Sequence, residues 1–435
     1  MKRFWLAALA VVLVLLVAAG LFFFLPASLS PVEASAFQPT GAALVERGRY
    51  LATAGDCVAC HTAPGGRPFA GGLAFKLPIG TIYSSNITPD RQAGIGGWSD
   101  AEFVRAMRHG VRSDGKDLYP AFPYTAYAKL STDDILAIRA YLGSLAPVAR
   151  PVAPNALTFP FNQRYLMRAW KLLFLSDTPI APAQKQSALW KRGAYLVEAL
   201  AHCGECHTPR NLMYGLKDGQ KFAGATTQGW KAYNITSDPR AGIGNWSAEE
   251  IATYLRTGHA EGRGVANGPM GEAVELSLSH LTPADLQAIA LYLKSVPARP
   301  AQNGELVETN PAALTASTAY APPAGATPRG DLGMRIFEGS CASCHGWNGQ
   351  GLQSGYAALR GMKTVNDPQG TNLVQIVLHG SHMATAQGQV GMPAFGAAYG
   401  DTEIAAVSNY VLRHFGAKRG TVTPAQVGEA RRSGE

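Results

Sequence analysis

The sequence lacks several features that would mark familiar classes of enzyme or binding protein. Only 16% of its 435 residues are charged, and no block of about five or more like charges occurs. The net charge is +8, but the lysines and arginines are scattered, which indicates a mildly basic surface and no nucleic-acid partner. No Gly-x-Gly-x-x-Gly fingerprint opens a helix after a strand, so the sequence predicts no dinucleotide site and no substrate-oxidising site of its own.

Cysteine is also scarce, and its positions follow a single pattern. The six cysteines form three pairs with two residues inside each pair, and a histidine follows each pair directly. No cysteine remains for a disulfide or for a lone thiol nucleophile. The three motifs are Cys57, Cys60 and His61; Cys203, Cys206 and His207; and Cys341, Cys344 and His345.

The spacing Cys-x-x-Cys-His is the attachment signature of c-type haem. Two thiols at this spacing reach the two vinyl groups of one porphyrin, and the histidine then lies under the iron as its proximal ligand. A thioredoxin-like redox pair would need a βαβ context, which the sequence does not show. A zinc site would need paired cysteine clusters, whereas each pair here stands about 140 residues from the next. The sequence therefore predicts three covalently bound haems c.

The N-terminus has the pattern of an export signal. Lys2 and Arg3 precede an uncharged run of 22 residues, Phe4 to Leu25. A usual signal core has about 7–15 apolar residues, so this longer run predicts that residues 1–36 are an export signal retained as a membrane anchor. The alternative is cleavage after Ala34-Ser35-Ala36, which would release a peripheral protein. Either way the body is exported, which in a bacterium means the periplasmic side of the cytoplasmic membrane.

Two long stretches of the chain repeat each other, which indicates duplicated domains. Asn86-Ile87-Thr88 recurs as Asn234-Ile235-Thr236, and Gly94 to Ser99 recurs as Gly242 to Ser247, each at an offset of 148 residues. A third and more distant copy opens with Gly333 to Phe337, just before its own cysteine pair.

Each copy reads as a helix, the cysteine motif, a loop-rich middle and a closing helix. Apolar residues at helical spacing predict closing helices at Thr132–Leu145, Pro283–Val296 and Thr402–Phe415. The 48 glycines and 28 prolines suit a chain that wraps a cofactor, and no strong alternating strand pattern is present. The predicted fold is mainly α, with three tandem class I cytochrome c domains after an N-terminal membrane helix. The predicted domains are residues 37–147, 186–297 and 328–417, joined by linkers at about 145–186 and 297–330.

Two methionines are candidates for the distal position on the iron. A haem that only transfers electrons usually has a sixth ligand, and methionine is common in cytochromes c. Met392 stands between a glycine and a proline, 47 residues after His345. Met270 stands between a proline and a glycine, 63 residues after His207. Because a methionine in such a loop has little reason to be core, both are predicted to be iron ligands.

The first domain departs from this pattern. The position offset by 148 from Met270 is Phe122, whose side chain cannot bind iron. Met107, on the preceding helix and 46 residues after His61, is the predicted ligand. His109 is an alternative ligand, and a five-coordinate iron beneath an apolar cap is another.

On these features the chain resembles a known family over nearly its whole length. The stretches Gly48 to His61, Tyr83 to Thr88, Leu118 to Tyr124 and Glu275 to Leu281 are similar to the triheme cytochrome c subunits of bacterial membrane-bound dehydrogenases. The resemblance implies a large catalytic partner that is a quinoprotein, a flavoprotein or a molybdoprotein. Family members often have methionine where Phe122 stands, so the ligation of the first haem differs from the family pattern.

The predicted function is electron transfer from this partner dehydrogenase, through three haems, to ubiquinone or a terminal oxidase at the membrane. Two other functions fit parts of the sequence. One is a haem peroxidase or reductase that uses an open first haem, and the other is a free-standing periplasmic shuttle with a cleaved signal. The sequence identifies neither a quinone site nor the substrate of the partner.

Overall fold

The structure is a computed structural model that describes residues 2–25, 41–176, 180, 185–300, 331–352, 354–385, 388–416 and 420–434. The chain divides into two compact units. One comprises Met1–Pro182 with Glu198–His202, and the other comprises Ala183–Val197 with Cys203–Glu435. The first predicted domain therefore belongs to the first unit. The third predicted domain, and the second apart from Glu198–His202, belong to the second unit.

The N-terminal helix α1, Lys2–Phe24, is apolar from end to end after its two basic residues. Its stretch Arg3–Phe24 has a mean hydropathy of 3.0, and none of it is buried in the protein. By length and composition this helix can cross a membrane. The alternative cleavage site at residues 34–36 lies outside the described residues.

The first unit packs short strands and helices around the first cysteine motif. Strand β2 pairs antiparallel with both β1 and β3. The elements after α1 are α2 (Ala42–Ala54), α3 (Cys57–Cys60), β1 (Ala74–Leu77), β2 (Gly80–Tyr83), α4 (Asp100–His109), α5 (Tyr124–Tyr127), α6 (Thr132–Ser144), β3 (Ala156–Leu157) and α7 (Leu166–Phe174).

The stretch 145–186 is more than the linker that the sequence predicted. Leu157 in β3 is buried with Ile82 and Tyr119 in a small core of the first unit. Helix α7 follows and buries Trp170. The linker prediction was wrong here because a two-residue strand gives no periodic signal, and its pairing with β2 depends on residues far away in the sequence.

The second unit holds the helices that follow α7 and, among the described residues, three two-stranded sheets. Its first half contains α8 (Ala188–Tyr195), α9 (Gly204–His207), β4 (Ala225–Thr227), β5 (Trp230–Ala232), α10 (Ala248–Thr257), β6 (His259–Ala260), β7 (Gly264–Val265), α11 (Gly268–Leu276) and α12 (Pro283–Ser295). Its second half contains α13 (Leu332–Ser340), α14 (Ala342–His345), α15 (Lys363–Asn366), α16 (Thr371–His379), β8 (Ser381–Thr385), β9 (Gly388–Met392), α17 (Asp401–Phe415) and α18 (Pro424–Gly434).

The three predicted closing helices are confirmed as α6, α12 and α17, within one residue of the predicted bounds. Ser131 and Thr282 cap the first two helices, where each hydroxyl accepts a hydrogen bond from a backbone N–H of the first turn. The core of the third domain continues past residue 417, because Val427 of α18 is fully buried against it.

The same close helix crossing occurs three times. In each copy the helix before the cysteine motif crosses the closing helix at a glycine, where an added Cβ would overlap a backbone carbonyl of the partner helix and lie 2.9 Å from a tyrosine Cβ. Only glycine permits this approach of two backbones. The three sets are Gly48 against Ala137 and Tyr141, Gly193 against Ala288 and Tyr292, and Gly333 against Ala406 and Tyr410.

Candidate haem sites

Each cysteine motif folds as a single helical turn. The backbone N–H of the histidine donates to the carbonyl of the first cysteine at 3.0 Å in all three motifs. Residues three apart lie on the same face of a helical turn, so the turn presents both sulfurs together. All six cysteines fall within the described residues and none is in a disulfide. In each pair the first cysteine is partly buried and the second is exposed.

A hydrogen bond fixes each motif histidine in the same way. The Nδ1 atoms of His61, His207 and His345 lie 2.6 Å from the carbonyl oxygens of Ser85, Tyr233 and Ala357 respectively. A carbonyl can only accept, so Nδ1 carries the proton and the Nε2 lone pair is available to a metal. Burial lowers the pKa of all three imidazoles, which favours the neutral form that ligates iron.

The donor sets therefore fit a c-type haem. Each motif offers two thiols on one helical face and an oriented neutral imidazole directly after them. Burial raises the pKa of Cys57 to about 12 and that of Cys341 to about 11, so both remain thiols at neutral pH. Among the residues that the structure describes, no group of three or more His, Cys, Asp or Glu side chains is arranged to hold a bare metal ion.

In the third domain the predicted distal ligand packs against the same core as the motif. Met392 ends β9 and is partly buried, and it packs against the same core cluster as Cys341. The backbone N–H of Phe395 donates to the carbonyl of Val377, which ties the loop after β9 to helix α16. The pairing of β9 with β8 and this hydrogen bond thus hold Met392 against the core of the third domain.

In the second domain one strand connects the two sides of the site. Met270 lies in the first turn of α11 and is partly buried. Gly268 begins this helix at φ +53°, and an added Cβ there would lie 2.5 Å from the Trp230 ring. Trp230 begins β5, and Tyr233, whose carbonyl holds His207, directly follows that strand. The helix of Met270 and the proximal carbonyl are therefore positioned by the same short strand.

In the first domain the corresponding region is aromatic. Phe122 is partly buried, and its ring centroid lies 5.4 Å from that of Tyr127 and 6.5 Å from that of Tyr124. Met107 is only 7% exposed within α4, so ligation by Met107 requires its side chain to leave that packing. His109 ends α4 and is exposed. The identity of the first distal ligand therefore stays a prediction.

Replacement of Phe122 by methionine is expected to supply the thioether that this position lacks. The first haem should then gain a methionine-ligated signature and a higher reduction potential, because methionine ligation raises the potential. The weak long-wavelength absorption band of methionine-ligated ferric haem and a redox titration are the measurements. Phe122→Leu removes the ring without supplying sulfur and is the matched control. Equal spectra for the two variants would show that residue 122 does not face the iron.

Hydrogen bonds join the distal elements of the second and third domains. The N–H of Ala384 in β8 donates to Glu275 Oε2 of α11 at 3.1 Å, and Ser381 Oγ donates to Asn267 Oδ1 at 2.7 Å. The Met383 side chain is buried, and its Sδ lies 2.5 Å from where a Cβ on Gly258 would stand. The hairpin that carries Met392 is thus held in place by the helix that carries Met270.

Glu275→Ala is expected to loosen this hairpin, because it leaves the Ala384 N–H without its acceptor, at a cost of about 1–3 kcal/mol. The fraction of methionine-ligated third haem should fall, as measured by the long-wavelength band during mild guanidinium titration. Glu272→Ala, one turn earlier on α11, is the control and should behave like the unaltered protein. An unchanged band in Glu275→Ala would mean that Met392 is held without help from the second domain.

Sequence reasoning found all the motif cysteines and histidines, but it missed the contacts between the second and third domains. It also missed the three backbone carbonyls that orient the histidines, because backbone acceptors carry no residue signature. Lys363, which is buried between the two halves of the second unit, was missed as well. A lysine among apolar residues was the one available signal.

Comparison with known proteins agrees with this chemistry. The family model described as cytochrome c matches residues 331–414. The chain is 39% identical over 423 residues to the fructose dehydrogenase cytochrome subunit of Gluconobacter japonicus, covering 93% of this chain and 85% of that protein. It is 40% identical over 411 residues to the gluconate 2-dehydrogenase cytochrome c subunit of Pantoea cypripedii, covering 90% of each.

A further relative is the cytochrome c subunit of the quinone-dependent alcohol dehydrogenase of Gluconobacter oxydans. It is 36% identical over 410 residues, which cover 91% of this chain and 84% of that subunit. The protein is thus a c-type cytochrome, because residues 331–414 match the cytochrome c family model and the cysteine motifs have the donor set that such a haem needs. Within that class, the chain belongs to the family of dehydrogenase cytochrome c subunits.

Proposed function

We propose that the chain is the electron-transfer subunit of a membrane-bound dehydrogenase complex and passes electrons through three covalently bound haems c to ubiquinone or a terminal oxidase. The observation that carries this proposal is the threefold recurrence of one proximal geometry. Each motif histidine donates from Nδ1 to a backbone carbonyl at 2.6 Å, directly after two thiols on one helical turn. The family of dehydrogenase cytochrome subunits supports a catalytic dehydrogenase as the electron donor.

Bound haem supplies one-electron oxidation and reduction at iron. The protein's part is to attach, orient and enclose it. The cysteine pairs at 57 and 60, 203 and 206, and 341 and 344 would form the thioethers, and His61, His207 and His345 would be the proximal ligands. Met270 and Met392 are the proposed distal ligands, and their partly buried side chains lie on ordered elements.

For the first haem we retain Met107 as the proposed distal ligand. The alternative is an iron capped by Phe122 and Tyr127, whose rings are 5.4 Å apart. The Phe122 ring is apolar, and the Tyr127 hydroxyl already donates to the carbonyl of Gly55 at 3.2 Å, so this cap offers little to peroxide or oxyanion chemistry and electron transfer remains the favoured function for this haem as well. Met107→Leu separates the two: ligation by Met107 predicts loss of its signature, whereas a spectrum like that of the unaltered protein favours the aromatic cap.

The contacts of α1 within the first unit support a retained anchor, and the basic residues before it favour a body on the periplasmic side of the cytoplasmic membrane. The rings of Phe23 and Phe24 lie 6.0 and 5.4 Å from that of Tyr165, and Arg168 donates to the carbonyl of Phe22 at 2.7 Å. Cleavage at residues 34–36 would remove all of these contacts. An anchor also brings the cytochrome to the bilayer in which ubiquinone is dissolved.

Purification of the native protein in mild detergent tests the proposal. We expect a large catalytic dehydrogenase subunit to copurify, and a haem assay to give three covalent haems per chain. The cofactor of the copurified subunit would identify the partner as a quinoprotein, flavoprotein or molybdoprotein. A lone polypeptide that turns over peroxide rapidly would instead establish a haem enzyme. Extraction without detergent as a monomer would point to a soluble shuttle.

A further inference from the structure

A single lysine side chain from the third domain lies buried in the second domain. Lys363 begins α15 and is 6% exposed. Its Nζ donates to the carbonyls of Ala241 and Gly242 at 3.0 and 3.1 Å, and its backbone N–H donates to the carbonyl of Arg263 at 3.0 Å. All three acceptors belong to the second domain, so Lys363 joins the two halves of the second unit.

A buried ion pair lies beside Lys363. The carboxylate of Asp367 is completely buried and pairs with Lys231 Nζ at 3.1 Å. Tyr233 Oη donates to the same carboxylate at 3.4 Å. The direct contacts of the Lys363 ammonium are neutral: it donates to the two carbonyls, and the centroid of the Tyr233 ring lies 5.4 Å from Nζ.

The same tyrosine links this charge to the second haem site. The Tyr233 carbonyl accepts the hydrogen bond from Nδ1 of His207, the proximal ligand of the proposed haem. The charge of Lys363 also contributes to the lowered pKa of His207, so the two groups interact electrostatically. An ammonium at this place opposes additional positive charge on the proximal side and favours the reduced iron.

We propose that Lys363 sets the reduction potential of the second haem, as a positive charge that the third domain contributes to the proximal side of its neighbour. The inference rests on the proposed attachment of a haem at Cys203 and Cys206. Reduction takes one electron from the dehydrogenase partner, and at a pH where the Lys363 amine is neutral it is accompanied by uptake of one proton from solvent. Docking of the third domain thereby makes the second haem a better electron acceptor.

The protonation of Lys363 should make this potential depend on pH. Burial, reinforced by Lys231, lowers the pKa of Lys363 to about 7, while Asp367 and Asp238 act in the opposite direction. The ammonium is therefore present below this pKa and is lost as the pH rises through it, so the potential of the second haem should fall across the neutral range. The charged groups that face Lys363 from the elements packed against it are Lys231, Asp238, Asp367 and the Arg263–Glu250 ion pair.

Redox titration of the full-length protein, followed by absorbance from acid to alkaline buffer, tests the inference. In the unaltered protein one of the haem transitions should fall in potential through neutral pH. Lys363→Met should hold that transition at its alkaline value at every pH. A buried charge of this kind is expected to change the equilibrium constant for reduction by roughly tenfold. For a one-electron couple this is about 59 mV.

Two further variants make the result specific. Lys294 is the matched control, because its Nζ donates to the carbonyls of Gly244 and Trp246 in the same loop of the second domain. Lys294→Met should leave all the potentials and their pH dependence unchanged. Met270→His alters the second haem directly and should move the same transition as Lys363→Met, which assigns that transition.

The inference is overturned if the unaltered protein shows potentials that do not change through neutral pH. It is equally overturned if Lys363→Met keeps its haems and its potentials, or if Lys294→Met reproduces the shift. The first of these measurements needs no variant, so a folding defect in Lys363→Met cannot hide the answer. A covalent haem count below three would contradict the proposed function and not the inference about Lys363. The two outcomes are distinguishable because haem content is measured separately from reduction potential.

Discussion

Replacement of both Cys203 and Cys206 by serine is expected to remove one covalent haem and to interrupt electron transfer through the complex. The remaining two motifs keep their own thiols and histidines, so covalent haem per chain should fall by about one third. Haem staining after denaturing electrophoresis counts attached haem whether or not the variant folds. Electron transfer from the copurified dehydrogenase to ubiquinone, measured in the intact complex, should be lost because one site in the series no longer holds haem.

The same helical turn offers a control for this double replacement. An added Cβ at Gly204 would approach no atom more closely than 3.5 Å, so Gly204→Ser introduces a hydroxyl into the motif without removing a thiol. This variant should keep its full haem content and its activity. Undiminished covalent haem in the double serine variant would show that the second motif is not an attachment site. Lost haem with unimpaired electron transfer would place the second domain outside the electron path.

Gly193→Ala is expected to produce a large loss of stability for the addition of a single methyl group. The new methyl group would overlap the carbonyl of Ala288 and lie 2.9 Å from Tyr292 Cβ, so α8 and α12 would have to separate. Overpacking of this kind costs about 1–3 kcal/mol or more. The midpoint of guanidinium denaturation, followed by helical circular dichroism, should fall clearly.

Gly143 provides the comparison for this change. It lies near the end of α6, and an added Cβ would meet no atom within 4 Å. Gly143→Ala should therefore leave the midpoint unchanged or raise it, since alanine favours a helix by up to about 1 kcal/mol. Equal midpoints for the two variants would show that the crossing at Gly193 can open without penalty. The equivalent changes at Gly48 and Gly333 should resemble Gly193→Ala.

Local patterns predicted much of this fold. The closing helices were predictable because apolar residues at helical spacing coincide with acidic first turns, as at Asp285 in α12. The cysteine motifs were predictable because their chemistry depends on residues within one helical turn. The repeat offset of 148 residues is reflected in matching capping boxes, formed by Ser99 with Glu102 and by Ser247 with Glu250.

The features of the fold and of the candidate haem sites that could not be predicted depend on contacts between residues distant in sequence. Nothing near Lys363 in the sequence indicates that its ammonium binds carbonyls of residues 241 and 242. The pairing of Glu275 with the backbone of Ala384 is equally invisible, because a backbone N–H has no residue type. The burial of Met107 of α4 could not be predicted either, because a methionine on a helix can belong to a core or serve as a ligand.

The identical hydrogen bonds from the three motif histidines to backbone carbonyls have a consequence for the direction of electron transfer between the proposed haems. All three imidazoles are held at the same 2.6 Å by a neutral carbonyl, so in the proposed three-haem chain this hydrogen bond would give the irons no gradient of reduction potential. Any downhill order must come from what differs between the sites. Two such differences are the aromatic ring of Phe122, at the position where the second domain has Met270, and the buried charge of Lys363. In the proposed chain, substitutions at a few positions around this invariant hydrogen bond would therefore set the direction of electron flow between three otherwise similar domains.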